Sequence, residues 1–66
     1  MTREQRAKAM EKAMGPHVTR QMLANRTKVS YNTIKRMLEA DPAFLPTLNT
    51  IYKIAEGLGI SPKALV

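Results

Sequence analysis

The chain contains no cysteine and no long apolar run. Without cysteine it can form neither a disulfide framework nor a thiolate metal site, and this composition fits a reducing compartment. No apolar run approaches the roughly 18 residues that a membrane span requires. The short basic N-terminus is not followed by an apolar signal core. We therefore expect a protein of the cytosol or the bacterial nucleoid, with no membrane-inserted segment.

Acidic residues are also scarce, with five against eleven lysines and arginines, which gives a net charge of +6 and a pI near 10.2. This balance favours a polyanionic partner, either a nucleic acid or an anionic membrane surface. Between Lys12 and Leu38 every charged residue is basic. Such a run can simply be a solvated face. Here it coincides with a predicted two-helix segment, which favours contact with phosphates.

Groups for catalysis are nearly absent. His17 is the only histidine, and it stands between Pro16 and Val18 with no second histidine or cysteine to complete a metal site. No nucleophile with a neighbouring base is visible in the sequence. The simplest interpretation of His17 is a solvated loop residue. We expect no metal, no cofactor and no enzyme activity.

The apolar spacing predicts an all-α fold, and 66 residues allow one domain over 1–66 with one small core. Four capping residues (Thr2, Thr19, Ser30 and Thr47) mark helix starts, and Ser61–Pro62 marks a final one. We predict a bundle of about five short helices, at 3–14, 20–27, 31–39, 48–58 and after Ser61. The first of these helices is predicted to cover the core with its apolar face and to carry its charged residues on the outer face.

The same spacing predicts which side chains are buried. Six residues of the segment 19–39 should face inward: Leu23, Ala24, Val29, Ile34, Met37 and Leu38. Phe44 and Leu45 are expected to close the bottom of the core. The inner stripe of the helix at 48–58 should be Leu48, Ile51, Ile54, Ala55 and Leu58.

The helix at 31–39 has an outward face with a distinctive composition. At 100° per residue, the apolar residues fall opposite Asn32. The residues left facing outward are Tyr31, Asn32, Lys35, Arg36 and Glu39. An aromatic ring, an amide, a lysine and an arginine on one exposed face are suited to reading base edges. This is the candidate recognition helix.

The turn at Lys28–Val29–Ser30 carries a lysine where a sharp helix-to-helix turn usually needs positive φ. Lysine in that conformation costs roughly 1 kcal/mol. Either the turn has another shape, or the strain is tolerated because the cation lies near the backbone of a ligand.

Taken together, four motifs resemble one known family. T-R-Q-M-L-A at 19–24, K-V-S at 28–30, T-I-K-R at 33–36 and P-T-L-N-T-I-Y-K-I-A-E-G-L-G-I-S-P-K-A-L at 46–65 are similar to the lambda-repressor-like, Cro-type helix-turn-helix family. The resemblance covers about residues 18–65. Three positions depart from its pattern: Arg20 replaces a common glutamine, Lys28 the turn glycine, and Leu38 an acid near the end of the third helix. The last departure puts a buried ion pair of some relatives in doubt.

The resemblance implies that helices 2 and 3 form a helix-turn-helix, with the third helix in the major groove of double-stranded DNA. Base contacts would fall to Tyr31, Asn32, Lys35 and Arg36. Phosphate contacts would fall to Thr19, Arg20, Lys28, Ser30, Thr47 and Asn49. A homodimer on a near-palindromic operator would be formed through Ile60, Ala64, Leu65 and Val66. Ordinary core packing explains that apolar end equally well.

We therefore expect a sequence-specific DNA-binding transcriptional regulator of phage or mobile-element type, acting by operator occupancy. The alternative is a protein-binding module on the same scaffold, such as an antitoxin that neutralises a toxin. A membrane-surface peptide is disfavoured, because the apolar faces are divided among several short capped segments.

Overall fold

The chain folds into four α-helices followed by a single 3₁₀ turn, and it contains no strand. The computed structural model describes residues 1–66. The helices are α1 (Arg3–Met14), α2 (Arg20–Thr27), α3 (Tyr31–Leu38) and α4 (Leu48–Leu58), and the turn is Pro62–Ala64. The all-α prediction is confirmed. The prediction of about five helices is wrong, because the three residues after Ser61 make one 3₁₀ turn and not an α-helical ladder.

Hydroxyl side chains cap the starts of all four helices, as the sequence predicts. Thr2 forms a reciprocal capping box with Gln5, in which the Thr2 amide donates to Gln5 Oε1 at 2.9 Å and the Gln5 amide to Thr2 Oγ1 at 3.0 Å. Thr19, Ser30 and Thr47 each accept from the amide three residues later. Each cap satisfies a backbone donor that the helix itself cannot.

One apolar core joins all four helices and the final turn. α1 packs against α3 and α4, and α2 packs against the same two helices. The core consists of Met10, Leu23, Ala24, Ile34, Met37, Ile51, Ile54, Ala55 and Leu65. Because α2 and α3 share this core, the angle between them is held by packing on both sides of the turn.

A close approach between α2 and α4 occurs at a glycine. A Cβ built on Gly57 would overlap Thr27 Cγ2. Thr27 is buried, and its hydroxyl donates to the Leu23 carbonyl at 2.7 Å. Arg26 also bridges α2 and α4, because its Nη1 donates to the Gly57 carbonyl at 3.3 Å. The absence of a side chain at Gly57 therefore sets how closely α4 supports α2.

Two predicted core residues are exposed instead. Leu45 is 76% exposed, because residues 44–47 are non-helical and their side chains alternate: Phe44 and Pro46 are partly buried, and Leu45 points outward. Leu48 is 63% exposed. It is the first residue of α4, ahead of Ile51, where the buried stripe of that helix begins.

Candidate nucleic-acid interface

The turn between α2 and α3 is built by local hydrogen bonds. Lys28 adopts the left-handed conformation with φ 62° and ψ 20°, and its amide donates to the Ala24 carbonyl at 3.0 Å. The Val29 amide donates to Thr27 Oγ1 at 3.3 Å. Of the two alternatives for this turn, the structure has the positive-φ one. Lysine is held there at a cost of about 1 kcal/mol relative to glycine.

The buried side of α3 fixes its orientation. Ile34 is fully buried, Met37 is 5% exposed, and Leu38 packs partly buried against the core. Ser30 caps the first turn, accepting from the Thr33 amide at 3.2 Å. With one side locked in the core, the opposite side has a defined direction.

The outward side of α3 carries the four residues predicted to contact bases. Tyr31, Asn32, Lys35 and Arg36 are all exposed. Asn32 and Lys35 make no intramolecular hydrogen bond or ion pair through their side chains. Their amide and ammonium groups are therefore free to bind a ligand.

Two partly exposed ion pairs lie near the C-terminal end of α3. Arg36 Nε lies 3.9 Å from Asp41 Oδ2, and its guanidinium carbon lies 5.9 Å from the centre of the Phe44 ring. Arg20 Nη1 lies 3.4 Å from Glu39 Oε2. All four charged side chains in the two pairs are between 31% and 49% exposed. Exposed pairs of this kind contribute about 0–1 kcal/mol, so either arginine can exchange its partner for another anion.

The predicted phosphate-contacting residues differ in whether their side-chain hydrogen-bond donors already have a partner within the protein. The hydroxyls of Ser30 and Thr47 lie 2.8 Å and 3.1 Å from the hydroxyls of Thr33 and Thr50. Thr19 accepts from the Met22 amide, and its own proton has no partner. Of the other three residues, Arg20 forms an ion pair with Glu39, and Lys28 and Asn49 are exposed.

An open depression lies between α2 and the start of α3. Its lining brings together three of the predicted residues, Lys28, Ser30 and Tyr31, with Gln21 and Asn25 of α2. The Gln21 side-chain amide donates to Asn25 Oδ1 at 3.0 Å. We did not predict Asn25 as part of the site. Its spacing of four residues from Gln21 on one exposed face was the available signal.

The C-terminal residues predicted to form a dimer interface are not equally accessible. Leu65 is fully buried in the core, and Ile60 is partly buried against it. Ala64 and Val66 are exposed. Leu65 is a core residue, so only the side chains of Ile60, Ala64 and Val66 can contribute to a contact with a second copy.

None of the helices is both long enough and apolar enough to cross a lipid bilayer. No three His, Cys, Asp or Glu side chains lie together in a group that could hold a metal ion. No protein-family model matches the chain, and neither a curated protein nor a solved structure matches it significantly.

Proposed function

We propose that this chain is a sequence-specific, double-stranded-DNA-binding transcriptional regulator of helix-turn-helix type, with α3 in the major groove. One observation carries the proposal. Ile34 and Met37 hold α3 in the core while Asn32, Lys35 and Arg36 project from its other side. The resemblance to the Cro-type family and the net charge of +6 support the same function.

The chemistry of these side chains suits base edges in the major groove. Arginine can bind guanine O6 and N7 with two hydrogen bonds, and asparagine can bind adenine N6 and N7 in the same way. Each such pair contributes roughly 1–3 kcal/mol of discrimination. The exposed Tyr31 ring can cover a thymine methyl group. Lys35 would lie at the edge of the groove.

Phosphate contacts would come from the residues around the two helix starts. Arg20 follows the Thr19 cap at the N-terminus of α2, where unpaired amides and the helix dipole favour an anion. Its present partner, Glu39, is an exposed carboxylate. A DNA phosphate would replace that carboxylate on Arg20. Lys28, Ser30, Thr47 and Asn49 complete the proposed set.

A single copy of such a small domain makes few contacts, so we propose that it binds a near-palindromic operator as a homodimer. Regulation would then follow from occupancy of the operator, in the manner of a phage or mobile-element repressor. Ile60, Ala64 and Val66 remain candidates for the dimer contact.

Selection of random duplexes with the purified protein tests the proposal. The selection is then repeated with the variants Asn32→Ala and Arg36→Ala. We expect an enriched motif with two-fold symmetry. Each variant should relax the base preference at a defined position, because one pair of hydrogen bonds is lost. Arg20→Ala should instead weaken binding to all sequences alike and flatten the log–log salt slope by about one unit per bound protomer.

Lys8→Gln is the matched control, since Lys8 is an exposed cation on the first helix, outside the proposed site. It should leave the enriched motif unchanged. A selection that enriches no motif with the wild-type protein, or enriches the same motif with Asn32→Ala and Arg36→Ala, would contradict the proposal.

A protein-binding role, such as that of an antitoxin, is the second candidate, and one observation favours it. Leu48 and Tyr52 lie one turn apart on α4 and are 63% and 53% exposed. Two large apolar side chains at this spacing form a ridge that a partner protein could cover. Loss of partner capture in Leu48→Lys and Tyr52→Lys, with no effect of Arg36→Ala, would favour this role over DNA binding.

A further inference from the structure

Three arginines from two separate parts of the chain line one small cavity. Arg3 and Arg6 come from the first two turns of α1, and Arg36 comes from α3. Asp41 is the only carboxylate in the lining. The four charged groups therefore sum to +2, from three positive charges and one negative charge.

Backbone carbonyls hold two of these guanidinium groups in place. Arg3 Nε donates to the Phe44 carbonyl at 3.3 Å, and Arg6 Nε donates to the Leu65 carbonyl at 2.8 Å. Neither residue forms an ion pair. A guanidinium has five N–H donors, and each of these uses one. Four donors on each group are left for a ligand.

The third arginine is only loosely engaged. Arg36 Nε lies 3.9 Å from Asp41 Oδ2, beyond hydrogen-bond distance, and 48% of its side chain is exposed. Glu4 lines the adjoining groove together with Arg3 and Arg6. It is exposed and pairs with neither arginine. Positive charge is therefore in excess at the mouth of the cavity.

The cavity itself has a volume of about 10 Å³, which is room for roughly one water molecule. A phosphate group is too large to enter it. An anion would bind at the mouth, with its oxygens directed toward the Nη atoms. Arginine and phosphate match in this geometry, since two parallel N–H donors can meet two phosphate oxygens.

The position of the cluster relative to α3 indicates which phosphate would bind. Residues 37–52, which include the end of α3 and the loop after it, contain no lysine or arginine. A duplex lying along α3 would meet no cation from that loop. Arg3 and Arg6 supply positive charge there from α1, beside Arg36 of the proposed recognition helix.

We infer that Arg3, Arg6 and Arg36 form a phosphate-binding cluster that takes a backbone phosphodiester of the DNA at the C-terminal flank of α3. This inference rests on the proposed function and extends it, because it adds α1 to the surface that contacts DNA. Arg36 would then lie at the border between base edge and backbone, where two of its five N–H donors can bind guanine and the others can face the phosphate.

The first test measures affinity for the selected duplex against salt concentration, by fluorescence anisotropy, for Arg3→Gln and Arg6→Gln. Each variant should bind roughly tenfold more weakly at 0.1 M salt and flatten the log–log slope by about 0.9 per protomer, since one counterion fewer is released. Lys8→Gln, on the same helix but outside the cluster, should leave the slope unchanged.

The conservative variant Arg3→Lys separates an electrostatic role from a structural one. It retains the charge and loses the Nε hydrogen bond to Phe44. We expect its salt slope to stay close to that of the wild type. A slope as flat as that of Arg3→Gln would mean that the arginine acts only by tying α1 to the loop, and this would overturn the inference.

The second test does not depend on DNA. In a titration with inorganic phosphate followed by NMR, the Nε–H resonances of Arg3, Arg6 and Arg36 should shift together, and that of Arg26 should not. Absence of these shifts would overturn the inference. A normal slope in Arg3→Gln and Arg6→Gln, with base preference still lost in Asn32→Ala, would overturn it while leaving the proposed function intact. Phosphate shifts without binding to any selected duplex would refute the DNA assignment and retain only an anion site.

Discussion

Replacement of Gly57 by alanine tests the packing that supports α2. In an exposed helix this change stabilises the protein by about 1 kcal/mol, because glycine is a poor helix former. Here the new Cβ would overlap Thr27 Cγ2. Overpacking of a well-packed core costs about 1–3 kcal/mol. Because the overlap is severe enough that an atom must move, we take the upper part of this range, about 2–3 kcal/mol. Set against the gain of about 1 kcal/mol in helix propensity, we expect Gly57→Ala to destabilise the domain by about 1–2 kcal/mol.

Thr27 cannot easily rotate away from the new methyl group. Its hydroxyl is buried and donates to the Leu23 carbonyl at 2.7 Å. Rotation would break that bond and leave a buried hydroxyl unpaired, at a cost of about 1–3 kcal/mol. Either outcome, the rotated side chain or the displaced helix, is destabilising.

Thermal and urea unfolding followed by circular dichroism measures the effect. For a domain of this size 1 kcal/mol corresponds to about 4–8 °C in Tm. The control is the same change in a Thr27→Ser background, which keeps the hydroxyl and removes Cγ2. The nearest remaining Thr27 atom, Cβ, is 3.6 Å from the new methyl group. There Gly57→Ala should be neutral or stabilising. A higher Tm for Gly57→Ala in the wild-type background would refute the close approach of α2 and α4.

Two further changes test other features of the fold by the same unfolding measurements. Ala40 has φ 53°, and its amide donates to the Met37 carbonyl in the turn that ends α3, so Ala40→Gly should stabilise the domain by about 1 kcal/mol by relieving the left-handed strain. Ala43→Gly, at an exposed position without positive φ, should destabilise it slightly, and equal effects of the two changes would contradict this explanation. Leu65→Ala should cost about 2–5 kcal/mol, because Leu65 is fully buried. Val66→Ala should stay within about 0.5 kcal/mol, and a negligible effect of Leu65→Ala would mean that the final turn is not packed on the core.

Helix starts could be predicted from the sequence because a cap depends on residues only a few positions apart. Thr2 with Gln5, and Thr19, Ser30 and Thr47, all take the roles that their spacing indicates. The inward and outward sides of α3 also follow from local periodicity. These predictions required no knowledge of how the helices pack.

Features that depend on a distant neighbour could not be predicted in the same way. Leu45 and Leu48 are apolar at positions that suit a core, but no other element covers them. From the sequence, Gly57 only lowers the helix propensity of α4. The structure shows that a side chain at this position would overlap Thr27. The convergence of Arg3 and Arg6 with Arg36 depends on the packing of α1 against α3.

The most direct test of the central claim is the affinity ratio between the selected duplex and a shuffled duplex at fixed salt, for the wild type and for Asn32→Ala. A sequence-specific DNA-binding protein typically binds its own site roughly 10³-fold or more tightly than it binds other DNA. Loss of one bidentate contact should lower the ratio by about 5- to 150-fold per half-site and leave binding to the shuffled duplex unchanged. An equal ratio for the two proteins would show that the outward face of α3 does not read bases.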